Sequence, residues 1–109
     1  MAKRSFGNYQ EFWAFYVTEH RQKLTRQFHF AGMTGAILCV VAAYLFGALW
    51  PLALAPVIAY AMSWAGHFWI EENTPATFRN PFRSLIADFH MYALMAAGRM
   101  DDEVERYAE

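Results

Sequence analysis

Polar and apolar positions are segregated along this chain rather than interleaved. From position 27 to position 70, forty-four residues pass without an Asp, Glu, Lys or Arg. A helix rises about 1.5 Å per residue, so roughly 20 residues cross a hydrocarbon layer of about 30 Å. The run is too long for one span and right for two. Its centre, Gly47-Ala48-Leu49-Trp50-Pro51, carries the glycine and proline that punctuate a hairpin turn. The pattern predicts a first span over 28–46 and a second over 51–70. Pro51 stands in the tolerated first turn of the second span, and the internal Pro56 predicts a bend. In the first span Ala31 with Gly35, and Gly32 with Ala36, form overlapping pairs of small residues that let another helix approach closely.

The flanks are mixed. Residues 9–25 read as a helix in which Phe12, Tyr16 and His20 recur every four positions on one face. With Trp13 and the basic Arg21, Lys23 and Arg26, that helix suits the membrane interface, its aromatic side down and its basic side on anionic lipid. After Glu71 and Glu72, Asn73-Thr74-Pro75 ends the second span. Residues 82–97 form a last apolar stretch, too short for an ordinary span and holding Asp88 and His90, so it reads as a helix packed on the hairpin or lying in the interface. The charged tail beyond it reads as exposed. The expected fold class is all-α: an integral membrane helical hairpin of two transmembrane helices, flanked by amphipathic or interfacial helices, in one membrane domain over 1–109.

Composition sharpens this picture. The 109 residues are 57% hydrophobic and 18% aromatic, so a soluble hairpin of this make-up would lack the polar outer face it needs. All nine Lys and Arg lie outside the uncharged run and the turn has none, which by the positive-inside rule places both termini in the cytoplasm. A net charge of −1 without a basic stripe argues against a nucleic-acid partner. The lone Cys39 falls mid-span and forms no internal disulfide. Two spans bury little surface by themselves, so a homo-oligomer in contact with membrane lipid is expected.

Candidate chemistry lies in the histidines. Folding the run in half brings His29 and His67 to one membrane face, and His20 and His90 fall within reach of the same face. Neutral imidazoles near a low-dielectric boundary need partners, and one metal ion satisfies several at once. Glu71 follows His67 by four residues, so on a continuous α-helix both share a face, with the carboxylate as ligand or as acceptor orienting a bound imidazole. Several histidines with one carboxylate suit non-haem Fe(II) and O2; an all-histidine set also suits zinc or copper.

The segment Gly66-His67-Phe68-Trp69-Ile70-Glu71-Glu72-Asn73-Thr74-Pro75-Ala76, followed by Asn80 and Ser84-Leu85, resembles the Mpo-like family of membrane 2-hydroxy fatty acid dioxygenases. Upstream, His20 and His29, nine residues apart and followed by Gly32, match the family's paired histidines, with Thr25 where the family commonly has Asn. The resemblance implies an Fe(II)-dependent enzyme of fatty acid α-oxidation that uses O2 as co-substrate to shorten a 2-hydroxy fatty acid by one carbon. It implies His20, His29 and His67 as metal ligands, with Glu71 as the catalytic carboxylate. Arg79 or Arg83 would pair with the substrate carboxylate. Longer members have further helices and a further histidine between the two blocks, which makes His90, or a second copy of the chain, the candidate source of a remaining ligand. The alternative function is a small membrane protein that binds haem or a structural metal, or that assembles with membrane partners.

Overall fold

The computed structural model describes residues 6–78 and 80–108. Among the described residues five α-helices follow one another: α1 (Tyr9–Thr18), α2 (Lys23–Phe46), α3 (Trp50–Ala65), α4 (Pro81–Ala96) and α5 (Met100–Tyr107). A π-helical segment, Gly66–Glu71, continues α3 without a break, and a 3-10 turn, Ala76–Phe78, precedes α4. No strand occurs among the described residues, as an all-α chain requires. The hairpin is α2 against α3. Both α2 and the continuous stretch Trp50–Glu71 are long and apolar enough to cross a membrane.

The hairpin turns where glycine was expected. Gly47 caps α2 in the left-handed region at φ +62°, a conformation that disfavours a side chain. The two helices then close on the small residues of α2. A Cβ on Gly32 would stand 2.8 Å from Met62 Cβ and 3.1 Å from the Ala59 carbonyl oxygen, and one on Gly35 would stand 2.9 Å from Ile58 Cγ2. The helix admitted by these small residues is therefore α3 of the same chain. Away from this seam Leu38, Tyr44, Leu45 and Val57 are exposed, an apolar surface of the kind that soluble monomers do not present.

The open end of the hairpin is filled by the other three helices, and here the expectations need correction. The helix expected over 9–25 breaks after Thr18, and α2 begins at Lys23, five residues before the expected start of the first span. Its aromatic face does not lie on lipid. Phe12, Trp13, Tyr16 and Val17 are buried against Ala87 and Met91 of α4 and Met100 and Val104 of α5. The tail exposes Arg99, Asp101, Asp102, Glu105 and Arg106, as expected, but it is helical and buries its apolar side. Met100 and Val104 share one face of α5 at i, i+4 spacing, and the Trp13 indole N–H donates to Glu103 at 2.7 Å. Helix α4 packs on the hairpin through Tyr92, which stacks on Phe30 and shares a 2.8 Å hydrogen bond with Thr34.

Close backbone approach at Gly32 yields the first prediction. Gly32→Val forces the α2–α3 seam apart and is expected to destabilise the fold by about 1–3 kcal/mol. Ala31→Val, which introduces the same side chain at the neighbouring exposed position, leaves it within about 0.5 kcal/mol of the parent. Thermal melts of the two variants in one detergent decide the matter; equal midpoints would contradict the seam.

Candidate metal centre

Three segments each deliver one histidine to the open end of the hairpin. His20 lies in the turn between α1 and α2, His29 in the second turn of α2, and His67 in the π-helical segment. All three are buried, His20 completely. Their rings meet edge to face, with centroids 4.4 Å apart for His20 and His67, 4.9 Å for His20 and His29, and 6.0 Å for His29 and His67. One ligand atom from each falls within 4.8 Å of the others. A metal bound at about 2.1 Å needs its ligand atoms no more than about 4.2 Å apart, so the set lies within about half an ångström of closure.

Hydrogen bonds decide which nitrogens are free. His20 Nδ1 meets the Tyr16 carbonyl oxygen at 2.7 Å. A carbonyl only accepts, so Nδ1 carries the proton and Nε2 holds the lone pair. His67 Nδ1 meets Asn73 Oδ1 at 2.7 Å, while Asn73 Nδ2 donates to the Glu19 carbonyl at 3.0 Å. The second bond fixes the amide's orientation and with it the same tautomer in His67. His29 Nε2 is 2.7 Å from the Ser63 hydroxyl and 3.7 Å from Asp88 Oδ1. His20 Nε2 is buried and has no hydrogen-bond partner. Burial, then the neighbouring imidazoles, hold the His20 pKa well below the usual histidine range, so the ring is neutral and able to bind a cation.

The turn carrying His20 is anchored by a residue that the sequence reading placed on lipid. Arg26 is buried, and its guanidinium donates to the His20 and Arg21 carbonyl oxygens, each at 2.8 Å, and reaches Asp101 of α5 at 3.4 Å. At the other side of the cluster, the π-helical segment carries both His67 and Glu71. A π turn closes i→i+5 rather than i→i+4, and residues four apart still share a side of it, so Glu71 is an electrostatic neighbour of His67. The Glu71 carboxylate accepts from the Gln22 backbone N–H at the start of α2, and Asn73 holds the imidazole instead. Glu72 ends the segment in the left-handed region at φ +61°, where its N–H and that of Asn73 both bond the His67 carbonyl. This non-glycine left-handed residue stores roughly 1 kcal/mol or more beside the cluster.

The remaining expected site residues lie elsewhere. His90 is not brought to the other three: it stacks on Trp13 at 3.8 Å between centroids, and its Nδ1 meets the Tyr9 hydroxyl at 3.1 Å. Arg83 donates to the Phe6 carbonyl oxygen at 3.0 Å. Arg79 lies outside the described residues. A second carboxylate, Asp88, reaches the cluster beside His29 and accepts a 2.5 Å hydrogen bond from the Tyr16 hydroxyl. Burial pushes its pKa up to about 7 against the pull of that bond, and burial together with Asp88 raises Tyr16 well above the usual tyrosine range. The signal for Asp88 was present: Ser84, Ala87, Asp88 and Met91 make the buried face of α4, and an acid on the apolar face of a helix needs a partner.

The profile of the family described as 2-hydroxy-palmitic acid dioxygenase Mpo1-like matches residues 6–100, which includes every histidine of the cluster. No curated protein and no solved structure matches the chain.

Asp88 gives a pH-dependent prediction for the metal-free protein. Unfolded, it ionises near 3.8; folded, near about 7. Between these values the folded chain keeps a proton that the unfolded chain releases, so stability falls as pH rises through the window and then levels off. Asp88→Asn stays neutral and still accepts from Tyr16. It is expected to be more stable than the parent by roughly 2–4 kcal/mol near about pH 8, the two converging near about pH 4. Denaturant melts across that range test it, and parallel curves would refute it.

Proposed function

The chain belongs to the 2-hydroxy-palmitic acid dioxygenase Mpo1-like family, and on that premise we propose that it is a membrane-embedded, Fe(II)-dependent dioxygenase of 2-hydroxy fatty acids. The reaction consumes O2, releases the carboxyl carbon as CO2, and leaves water and a fatty acid one carbon shorter. The observation that carries this reading is His20 Nε2: a buried acceptor with no protein partner, facing two further buried imidazoles. Buried polar atoms are seldom left without a partner; Thr25 Oγ1 and Trp64 Nε1 share that condition, but only His20 Nε2 belongs to a cluster of three imidazoles, which a cation can bind in common. The spacing of 4.4–6.0 Å between ring centroids favours a single ion over a haem, whose macrocycle would have to pass between the rings.

His20, His29 and His67 would hold the iron, which when bound supplies O2 activation and a Lewis-acidic site able to take the hydroxyl and carboxylate of the substrate. The rest is done by the protein. Tyr16 and Asn73 fix the ring orientation and tautomer of His20 and His67, the task that partners of metal-bound histidines perform elsewhere. Ser63 positions His29. Asp88, its Oδ1 occupied by Tyr16, holds a proton through mildly acidic pH and so can donate a hydrogen bond to an acidic headgroup. The apolar helices α2 and α3 exclude water and seat the chain in the bilayer, with both termini on the cytoplasmic side, where the basic residues lie.

Metal content is the direct test. Protein purified without a histidine tag is expected to hold about one iron per chain by elemental analysis, and the His29→Ala, His67→Ala double variant none. Asn73→Ala, which frees the His67 ring, should weaken the metal by about 10- to 100-fold. Iron-loaded protein should then consume O2 with 2-hydroxy fatty acids and not with the unhydroxylated acids. Absence of metal from the parent after anaerobic Fe(II) loading would end the oxygenase reading.

A further inference from the structure

A cleft of about 220 Å³ starts at the metal cluster and runs away from it between α2, α3 and α4. Its polar end is His29, Ser63 and Asp88. From there the α2 wall is Met33 and Ala36, and the α3 wall descends through Tyr60 and Ala59 to Pro56 and Ala55. From His29 to Ala36 is seven residues of helix, about 10 Å. The antiparallel α3 keeps pace, from Ser63 at the level of His29 to Ala55 at the level of Ala36. Three of the deeper positions are alanine, and Pro56 withholds the backbone N–H that would brace that turn of α3. Leu85 and Phe89 of α4 form the third side and are both about half exposed, so the cleft opens sideways onto the apolar outer surface of the hairpin.

The dimensions select the occupant. A helix from a second chain is about 10–12 Å across with its side chains and does not enter a cleft of this volume. A polar metabolite would find few partners below the first turn. A single polymethylene chain is narrow enough, gains from each apolar contact, and can slide in from lipid past Leu85 and Phe89. We propose that this cleft seats the hydrocarbon tail of a fatty acid, its carboxyl end at His29, Ser63 and Asp88 and its far end against Ala36 and Ala55, which gauge chain length. That the tail belongs to a substrate rests on the reading of the metal centre; the cleft as a binding site does not.

The test needs neither metal nor turnover. Metal-free protein in lipid nanodiscs is exposed to saturated carboxylic acids of graded length carrying a terminal diazirine, and the cross-links are located by peptide mass spectrometry. Labelling is expected at Ala36, Ala55 and their cleft neighbours for the longer acids, and nearer His29 for the shorter. Ala55→Phe and Ala36→Leu fill the far end from opposite walls, and each should lower labelling by the longest acids about ten-fold while sparing the short ones. Leu85→Ala opens the side wall and should broaden the range of length accepted, which guards against loss of fold in the bulky variants. Label spread over Leu38, Tyr44 and Leu45 on the outer surface, unchanged in all three variants, would overturn the cleft and leave the metal reading intact. Cleft labelling in a protein that proves unable to bind iron would uphold the cleft and leave that other reading to fall alone.

Discussion

Everything at the open end of the hairpin is organised around keeping three imidazoles buried side by side, two of them with their Nδ1 protons engaged. A buried nitrogen without a partner costs about 1–3 kcal/mol, and His20 Nε2 is held in that condition. Such an arrangement survives only where the surroundings over-determine it. The surroundings do so by taking up the other ring nitrogen: the Tyr16 carbonyl on His20, the Asn73 amide on His67, the Ser63 hydroxyl on His29. Arg26 then fastens the carbonyls of the His20 turn. An arginine flanking a membrane span would ordinarily contact lipid; here it is a buried brace with its charge dispersed over backbone oxygens.

Much of the fold was legible because the relevant physics is local or nearly so. A long uncharged run broken by Gly47 and Pro51 has one economical folding, and that folding alone brings His29 toward His67. What the sequence concealed depends on partners far away in the chain. Whether Phe12, Trp13 and Tyr16 face lipid or protein is undecidable until α4 and α5 supply a surface for them. The role of Asp88 needs Tyr16, 72 positions distant, and Arg26 needs the carbonyl geometry of a turn that no periodicity marks. Glu71, on the π turn after α3, stays an electrostatic neighbour of His67, but its carboxylate is also held by the Gln22 backbone N–H, a partner 49 positions away that no local spacing marks. Gly66, lacking a Cβ, lets Thr25 press to within 3.0 Å of where one would be, which is the local circumstance in which that turn forms.

The two ends of the hairpin differ in character. Toward the tip, Tyr44, Leu45, Phe46, Leu49 and Trp50 are exposed. At the base, three further helices enclose a polar cluster. An acid of raised pKa, a tyrosine whose proton is held fast and three neutral histidines are a low-charge set. That is the form in which polar chemistry can be kept at the edge of a hydrocarbon phase without the several kcal/mol that isolated ions would cost there.

Helix α5 gives the base an order of assembly. It supplies Met100 and Val104 to the core around α1 and Glu103 to Trp13, and α1 in turn holds His20 through Tyr16. A chain made from its N-terminus thus possesses all three histidines some thirty residues before it possesses the helix that locks α1 over them. The three histidines come early, and the enclosure that gives His20 its dryness is made only after all of them.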